Sequence, residues 1–218
     1  MASKALEDYL KIIYKLEEEN ESDKGVSTSA IAERLAISQA SVSNMLKKLA
    51  DKKMIQYEPY YGVSLTAKGR KVALNMIRRH RILELFLVER LGYQWDEVDE
   101  EAEILEHAVS DKLANRMWEE LGQPTQDPHG SPIPNEKGEM VQPKMASLAE
   151  IEAPAKAKVV RIQNRSPEEL RYLFSIGLVK DAGVIIHQKA PFEGPLSIEI
   201  NGEQHALDYR LAQSIFVA

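Results

Sequence analysis

The spacing of apolar residues changes period once along this chain, and that change constrains the architecture more than any other feature. Up to about residue 121 apolar side chains recur at helical spacing; after about residue 151 they alternate with a period near two. Between these stretches, residues 122–143 hold Pro124, Pro128, Pro132, Pro134, Pro143 and three glycines. So many missing backbone donors exclude a helix, and the segment reads as a linker or an ordered loop. The expected fold is mainly α, followed by a small, compact β-barrel.

Leu6, Leu10, Ile13 and Leu16 mark one face of a helix over residues 4–19. After a polar loop, Ser27 or Thr28 can cap a second helix carrying Ile31, Ala32 and Leu35. A break at Ile37 and Ser38 precedes a third helix, residues 39–53, with Val42, Met45, Leu46 and Leu49 inward. Residues 55–66 are β-prone and centre on Tyr60, Tyr61 and Gly62, a hairpin signal. Helix, tight turn, helix and hairpin together read as a winged helix-turn-helix. A long helix then covers residues 67–90. Its second half (Ile82, Leu83, Leu85, Phe86, Leu87, Val88) is apolar almost all round and must be buried, in its own chain or against a second subunit. A further helix is expected over residues 99–121. Beyond the proline-rich segment, strands are expected at 159–162, 184–186, 196–200 and 214–217, with a helix at 167–174 and a hairpin turn at Asn201-Gly202.

Charge is distributed unevenly over the chain's net −6. Residues 1–79 hold 14 Lys/Arg against 10 Asp/Glu, and residues 80–218 hold 14 against 24. A basic N-terminal part on an acidic remainder suits a modular DNA binder. The third helix carries Ser38, Gln39, Ser41, Ser43 and Asn44 near its start, followed by Lys47 and Lys48. The N-terminal end of a recognition helix meets base edges in the major groove of double-stranded DNA, and basic groups engage phosphates. Asn44 can pair with adenine through its amide. Tyr60 and Tyr61 at the wing tip can touch backbone or minor groove. A solvated polar face has the same composition, and winged helices also serve as protein-interaction modules.

The chain has no cysteine, which excludes disulfides and thiolate metal sites. Glu103, Glu106 and His107 fall at i, i+3 and i+4, one face of the expected helix. His80 and Glu84 lie one turn apart on the preceding long helix, and Asp8 adds an acid from the first. Oxygen and nitrogen donors without sulfur suit Mn²⁺, Fe²⁺, Co²⁺ or Zn²⁺, and an oxygen-rich set tilts toward Mn²⁺. A solvated acidic face satisfies the same spacing. An enzyme is not expected. Di-iron bundles need two Glu-x-x-His motifs, whereas Ile104 stands three residues before His107, and no phosphate loop or nucleophile elbow is present. A regulator sensing an organic ligand would need an apolar pocket. With no membrane-length apolar run and no signal-peptide pattern, the cytoplasm is the expected compartment.

Several segments together resemble the diphtheria-toxin-repressor and manganese-transport-regulator family. They are residues 6–18 (LEDYLKIIYKLEE), 26–49, Leu65-Thr66-Ala67-Lys68-Gly69, Arg79-His80-Arg81, Leu105-Glu106-His107 and Asp127-Pro128-His129-Gly130 with Pro132-Ile133-Pro134. The resemblance covers essentially the whole chain. It implies a DNA-binding domain (1–74), a helical metal-binding and dimerisation domain (75–143), and a Src-homology-like barrel (151–218) similar to ferrous-iron-transport accessory proteins. It implies a homodimeric, metal-dependent repressor on a palindromic operator, with Mn²⁺ or Fe²⁺ as effector and Co²⁺, Ni²⁺ or Zn²⁺ able to substitute in vitro. Asp8, Glu103, Glu106 and His107 fall at the family's primary-site positions. Iron-type members place sulfur-bearing residues where this chain has Asp8 and Glu103, so the manganese branch is the nearer likeness. Lys11 stands where paired-metal members carry an acid, which argues for separate single-ion sites. His80 and Glu84 match a second site of longer members, to which Asp99, Asp127 and Asn164 are further, weaker additions.

Overall fold

The computed structural model describes residues 4–19, 25–58, 61–141, 144–163 and 166–218. It divides into two compact units, Met1–Arg79 with Pro134–Glu139, and His80–Ile133 with Met140–Ala218.

In the first unit, helices α1 (Lys4–Glu19), α2 (Thr28–Arg34) and α3 (Gln39–Asp51) precede a two-stranded wing, β1 (Ile55–Glu58) and β2 (Gly62–Leu65). Apolar positions on each helix close a core that includes Leu10, Ile13, Ile31, Val42, Leu46, Leu49 and Val63. Met45 is only half-buried. Serines start both short helices: Ser27 Oγ accepts from Ala30 N at 3.1 Å and Ser38 Oγ from Ser41 N at 3.2 Å. The intervening turn places Ala36 in left-handed backbone, φ 52°. Val26 adds a bridge to Val63 beside the wing. Glu17 fastens the wing to α1, accepting from Leu65 N at 2.7 Å and pairing with Arg70 at 2.5 Å.

Helix α4 (Ala67–Leu91) contributes to both units. In the second unit its apolar half packs with α5 (Val98–Leu105) and α6 (Asp111–Glu120) around Leu83, Ala102, Val109 and Ala114. The single helix expected over 99–121 is therefore two. The break has a local cause: Ser110 takes an extended conformation and caps α6 through Leu113 N at 3.2 Å. Glu106 and His107 consequently stand in the turn after α5, although Glu106 keeps helical backbone and its N–H donates to Ala102 O at 2.9 Å.

The C-terminal part holds β3 (Ala146–Ser147), β4 (Ala155–Ile162), α7 (Pro167–Ser175), β5 (Gly183–Lys189), β6 (Leu196–Ile200), β7 (Glu203–Leu207), α8 (Tyr209–Gln213) and β8 (Ile215–Val217). The antiparallel ladder runs β3-β8-β4-β5-β6-β7. The expected closed barrel is corrected to an open six-stranded sheet. Among the described residues, two-residue β3 pairs only with β8, and β7 only with β6, so no ladder joins the ends. Asn201 and Gly202 turn β6 into β7 with φ of 53° and 86°, the positive values a type I′ turn demands.

Residues 124–132 of the proline-rich segment form an ordered loop rather than a spacer. Arg81 donates to Pro132 O, and Trp118 Nε1 to Pro124 O at 2.9 Å. His129 O accepts from Ile162 N of β4 at 2.8 Å, and Gly130, at φ 90°, lies so close to Val160 O that a Cβ would collide with it. These contacts place the 127–131 loop and the sheet in one unit. No helix among the described residues is long and apolar enough to cross a membrane.

Candidate metal centre

His80 lies at the middle of the site, on the buried side of α4. Its Nδ1 is 2.8 Å from Glu106 Oε2 and 4.0 Å from Glu103 Oε1. Its Nε2 is 3.3 Å from Glu84 Oε1 and 3.3 Å from Asp99 Oδ1. Helix α4 brings Glu84 in because it follows His80 by one turn, and α5 supplies Asp99 and Glu103 because they are one turn apart on its facing side. Two ligand groups result, each with atoms close enough for one ion: His80 with Glu103 and Glu106, and His80 with Glu84 and Asp99. Glu106 is fully buried and divides its oxygens, Oε2 toward His80 and Oε1 toward His107 Nε2 at 3.6 Å.

His129 joins this neighbourhood without having been singled out by the sequence as a ligand. It is buried, its Nε2 is 4.0 Å from Glu84 Oε1, and Trp95 packs against it with ring centroids 5.0 Å apart and planes tilted by 38°. Its Nδ1 is buried without a hydrogen-bond partner among the described residues. A lone histidine in a proline-rich loop has no helical period to place it; only its position in the Asp-Pro-His-Gly run marked it.

Asp127 is also buried, but its carboxylate is already engaged. Oδ1 accepts from His129 N at 2.9 Å and Ser131 N at 2.8 Å, and Oδ2 faces Arg81 Nε at 3.7 Å. Burial and the nearby Glu84 charge push the Asp127 carboxyl above its usual range, against Arg81 and His129. Glu84 goes the other way. Burial alone would raise it, but the charge and hydrogen bond of His80, helped by His129, hold it down to about 2. Two buried carboxyls in one neighbourhood are thus driven in opposite directions, Glu84 down and Asp127 up.

Donor chemistry fits a divalent ion: buried and half-buried carboxylates and imidazoles, no sulfur, and a buried His129 Nδ1 without a hydrogen-bond partner among the described residues. Asp8 lies half-buried on α1 in the first unit. Asn164 falls outside the described residues, as does Tyr60.

On α3, Ser38, Gln39, Ser41, Asn44, Lys47 and Lys48 are exposed, and Ser43 is half-buried. Three hydroxyls serve the helix itself. Ser38 caps it and meets Ser41 Oγ at 2.9 Å, and Ser43 Oγ donates to Gln39 O at 2.9 Å. Tyr61 is exposed at the wing.

A winged reading head and a buried carboxylate–imidazole centre define a class, the metal-responsive DNA-binding regulators. Comparison with known proteins narrows it. Residues 1–63 match the iron-dependent repressor N-terminal DNA-binding domain, residues 66–135 its metal-binding and dimerisation domain, and residues 146–218 the FeoA domain. The iron-dependent repressor IdeR of Mycobacterium tuberculosis is 33% identical over 224 residues, covering 97% of this chain and 95% of the relative. The regulator MntR of Oceanobacillus iheyensis is 39% identical over 118 residues, 54% of this chain and 77% of that one. A solved manganese-dependent transcriptional repressor in complex with manganese superposes with a TM-score of 0.89 at 41% identity, covering 98% and 99% of the two chains. This chain belongs to the diphtheria-toxin-repressor family of metal-dependent transcriptional repressors.

Proposed function

We propose that this protein is a homodimeric repressor whose affinity for a palindromic operator is set by a divalent ion, Mn²⁺ before Fe²⁺, with Co²⁺, Ni²⁺ or Zn²⁺ able to substitute in vitro. The observation that carries it is the concentration of carboxylates around one buried imidazole at His80, an arrangement that repels itself without a cation. Asp8, Glu103, Glu106 and His107 are assigned to the primary ion. His80, Glu84 and Asp99 are assigned to the second, with His129 beside them and Asp127 shaping the loop; Asn164 keeps its sequence-based assignment there. The ion supplies positive charge that lets these carboxylates converge.

Asp8 belongs to the reading head and the other primary ligands do not, so ligation fixes the orientation of α3. In a dimer this sets the distance between two recognition helices, which must match half-sites about 34–36 Å apart. A site filled to about 100 times its dissociation constant favours the competent state by about 2.7 kcal/mol, roughly 100-fold, when only that state binds. Leu91, Ile104 and Leu113, exposed apolar side chains of α4, α5 and α6, are assigned to the dimer interface. On DNA, Gln39 and Asn44 read bases, while Ser38, Ser41, Ser43, Lys47, Lys48, Tyr60 and Tyr61 position the backbone. A cytoplasmic location follows from this role. The test is an operator-binding titration with Mn²⁺, Fe²⁺, Co²⁺ and Zn²⁺ beside a chelated control. Metal should tighten binding about 100-fold in the wild type, and Glu106→Ala should abolish that gain; an undiminished gain in the variant would sink the model.

A further inference from the structure

His80 belongs to both ligand groups of the metal centre, through different ring nitrogens. A neutral imidazole carries one N–H and one lone pair. Here Nδ1 meets Glu106 Oε2 at 2.8 Å, while Nε2 meets Glu84 and Asp99 oxygens at 3.3 Å each. Whichever nitrogen holds the proton, the other turns its lone pair toward a carboxylate. A second ring proton meets both carboxylates in the metal-free protein, and a cation on the Nε2 side takes that proton's place and leaves the other on Nδ1. Glu106 is then held through Oε2, and its other oxygen, Oε1, stays turned to His107.

We propose that His80 is the positioning residue that couples the two ion sites: its Nε2 ligates the second ion and its Nδ1–H orients Glu106 for the primary one. The inference rests on the proposed function and adds to it a sign, positive cooperativity. The alternative use of the ring is an ion on Nδ1 with Glu103 and Glu106, which would make the two sites compete for one imidazole. Geometry favours the relay, because Nδ1 is already closed on Glu106 at hydrogen-bond distance while Glu103 is 4.0 Å away and half-exposed. Ligating histidines commonly hand their second N–H to a carboxylate in this way, and loss of such an outer partner weakens metal binding about 10- to 100-fold.

The test is Mn²⁺ binding to the full chain without DNA, read from the electron paramagnetic resonance signal of the unbound aqueous ion. The wild type should fill its sites with positive cooperativity. Asp99→Asn changes a partly exposed ligand on the Nε2 side, and Glu84→Gln a buried one. Both should weaken the second ion and also raise the dissociation constant of the remaining ion about tenfold. By reciprocity, Glu103→Gln should weaken the second ion as much as loss of the second ion weakens the primary site. In the Zn²⁺-loaded protein, nitrogen-15 spectra should place the His80 ring proton on Nδ1. An unchanged or tighter remaining ion in both Asp99→Asn and Glu84→Gln, or a ring proton on Nε2, overturns the relay and leaves the metal-dependent repressor standing. A wild type that binds no Mn²⁺ overturns both.

Discussion

Helix α3 and the cluster around His80 are both rich in polar side chains, and they hold them under opposite conditions. On α3 the polar groups face water, and three serines among them bond to the helix's own termini or carbonyls. In that cluster His80, Glu84 and Glu106 are withdrawn from water and depend on one another. An exposed polar residue can be exchanged with little effect on stability, because water replaces each lost partner. A buried one leaves its partner unpaired, and the protein loses the whole desolvation penalty. Substitutions on α3, its capping Ser38 apart, should therefore change binding and leave the fold, whereas substitutions at His80 should change both.

The largest expected effect comes from His80→Ala. It leaves the buried Glu84 and Glu106 without their shared imidazole, and thermal denaturation of the metal-free protein should show a loss of about 3–5 kcal/mol. A loss below about 1 kcal/mol would mean that water already screens this cluster, and the contrast with α3 would collapse. Gly130→Ala comes next. The new Cβ meets Val160 O, and the backbone is left-handed, so about 2–3 kcal/mol should be lost along with much of the second ion's affinity. If affinity for that ion survives, the loop carrying His129 is not part of its site.

On α3, Asn44→Ala should weaken operator binding by about 1–3 kcal/mol and relax preference at one base pair. Lys47→Ala or Lys48→Ala should instead weaken binding to all sequences alike and reduce the salt slope by about one. Melting temperatures should stay near wild type in these three, and a large drop in any of them breaks the comparison from the other side. Ser38→Ala removes a cap and should lower stability by about 1 kcal/mol.

Smallest, and most specific, is a pair of opposed pH effects in metal-free protein. Glu84 is held down to about 2 in the fold against an ordinary 4.5. Its contribution is present above pH 4.5 and is lost as pH falls toward 2, so Glu84→Gln should flatten the acid limb of the stability curve. Asp127 is raised in the fold, so it disfavours folding once pH climbs through its raised value. Asp127→Asn keeps an Oδ1 acceptor for His129 N and Ser131 N while removing the buried charge. It should raise the neutral-pH melting temperature by about 2 °C. Matching signs in the two variants would show that these carboxyls titrate as one unit.

Much of the fold was legible because its signals are local. Ser27 and Ser38 start α2 and α3, the period of 3.6 delimits α1 and α4, and Asn201-Gly202 marks the β6–β7 turn. The break between α5 and α6 was local too, since Ser110 is its cap, but the surrounding helical character concealed it. Barrel closure was not legible, because it depends on which strand ends pair, not on the period within any strand.

The sequence by itself determined α1 to α4, the wing, α7, the strands β4, β5, β6 and β8, the polar face of the reading helix, and a donor set of oxygen and nitrogen without sulfur. These follow from side-chain type and spacing within one element, where geometry is fixed by the helix or strand repeat. Only the tertiary structure decided that His80 stands between two groups of carboxylates, that Glu106 divides its oxygens between two histidines, and that His129 arrives from a loop to face Glu84. The physical reason is that a repeat places a residue on a face of its own element. Packing decides which face it meets and how far water is excluded, and that exclusion sends Glu84 and Asp127 in opposite directions.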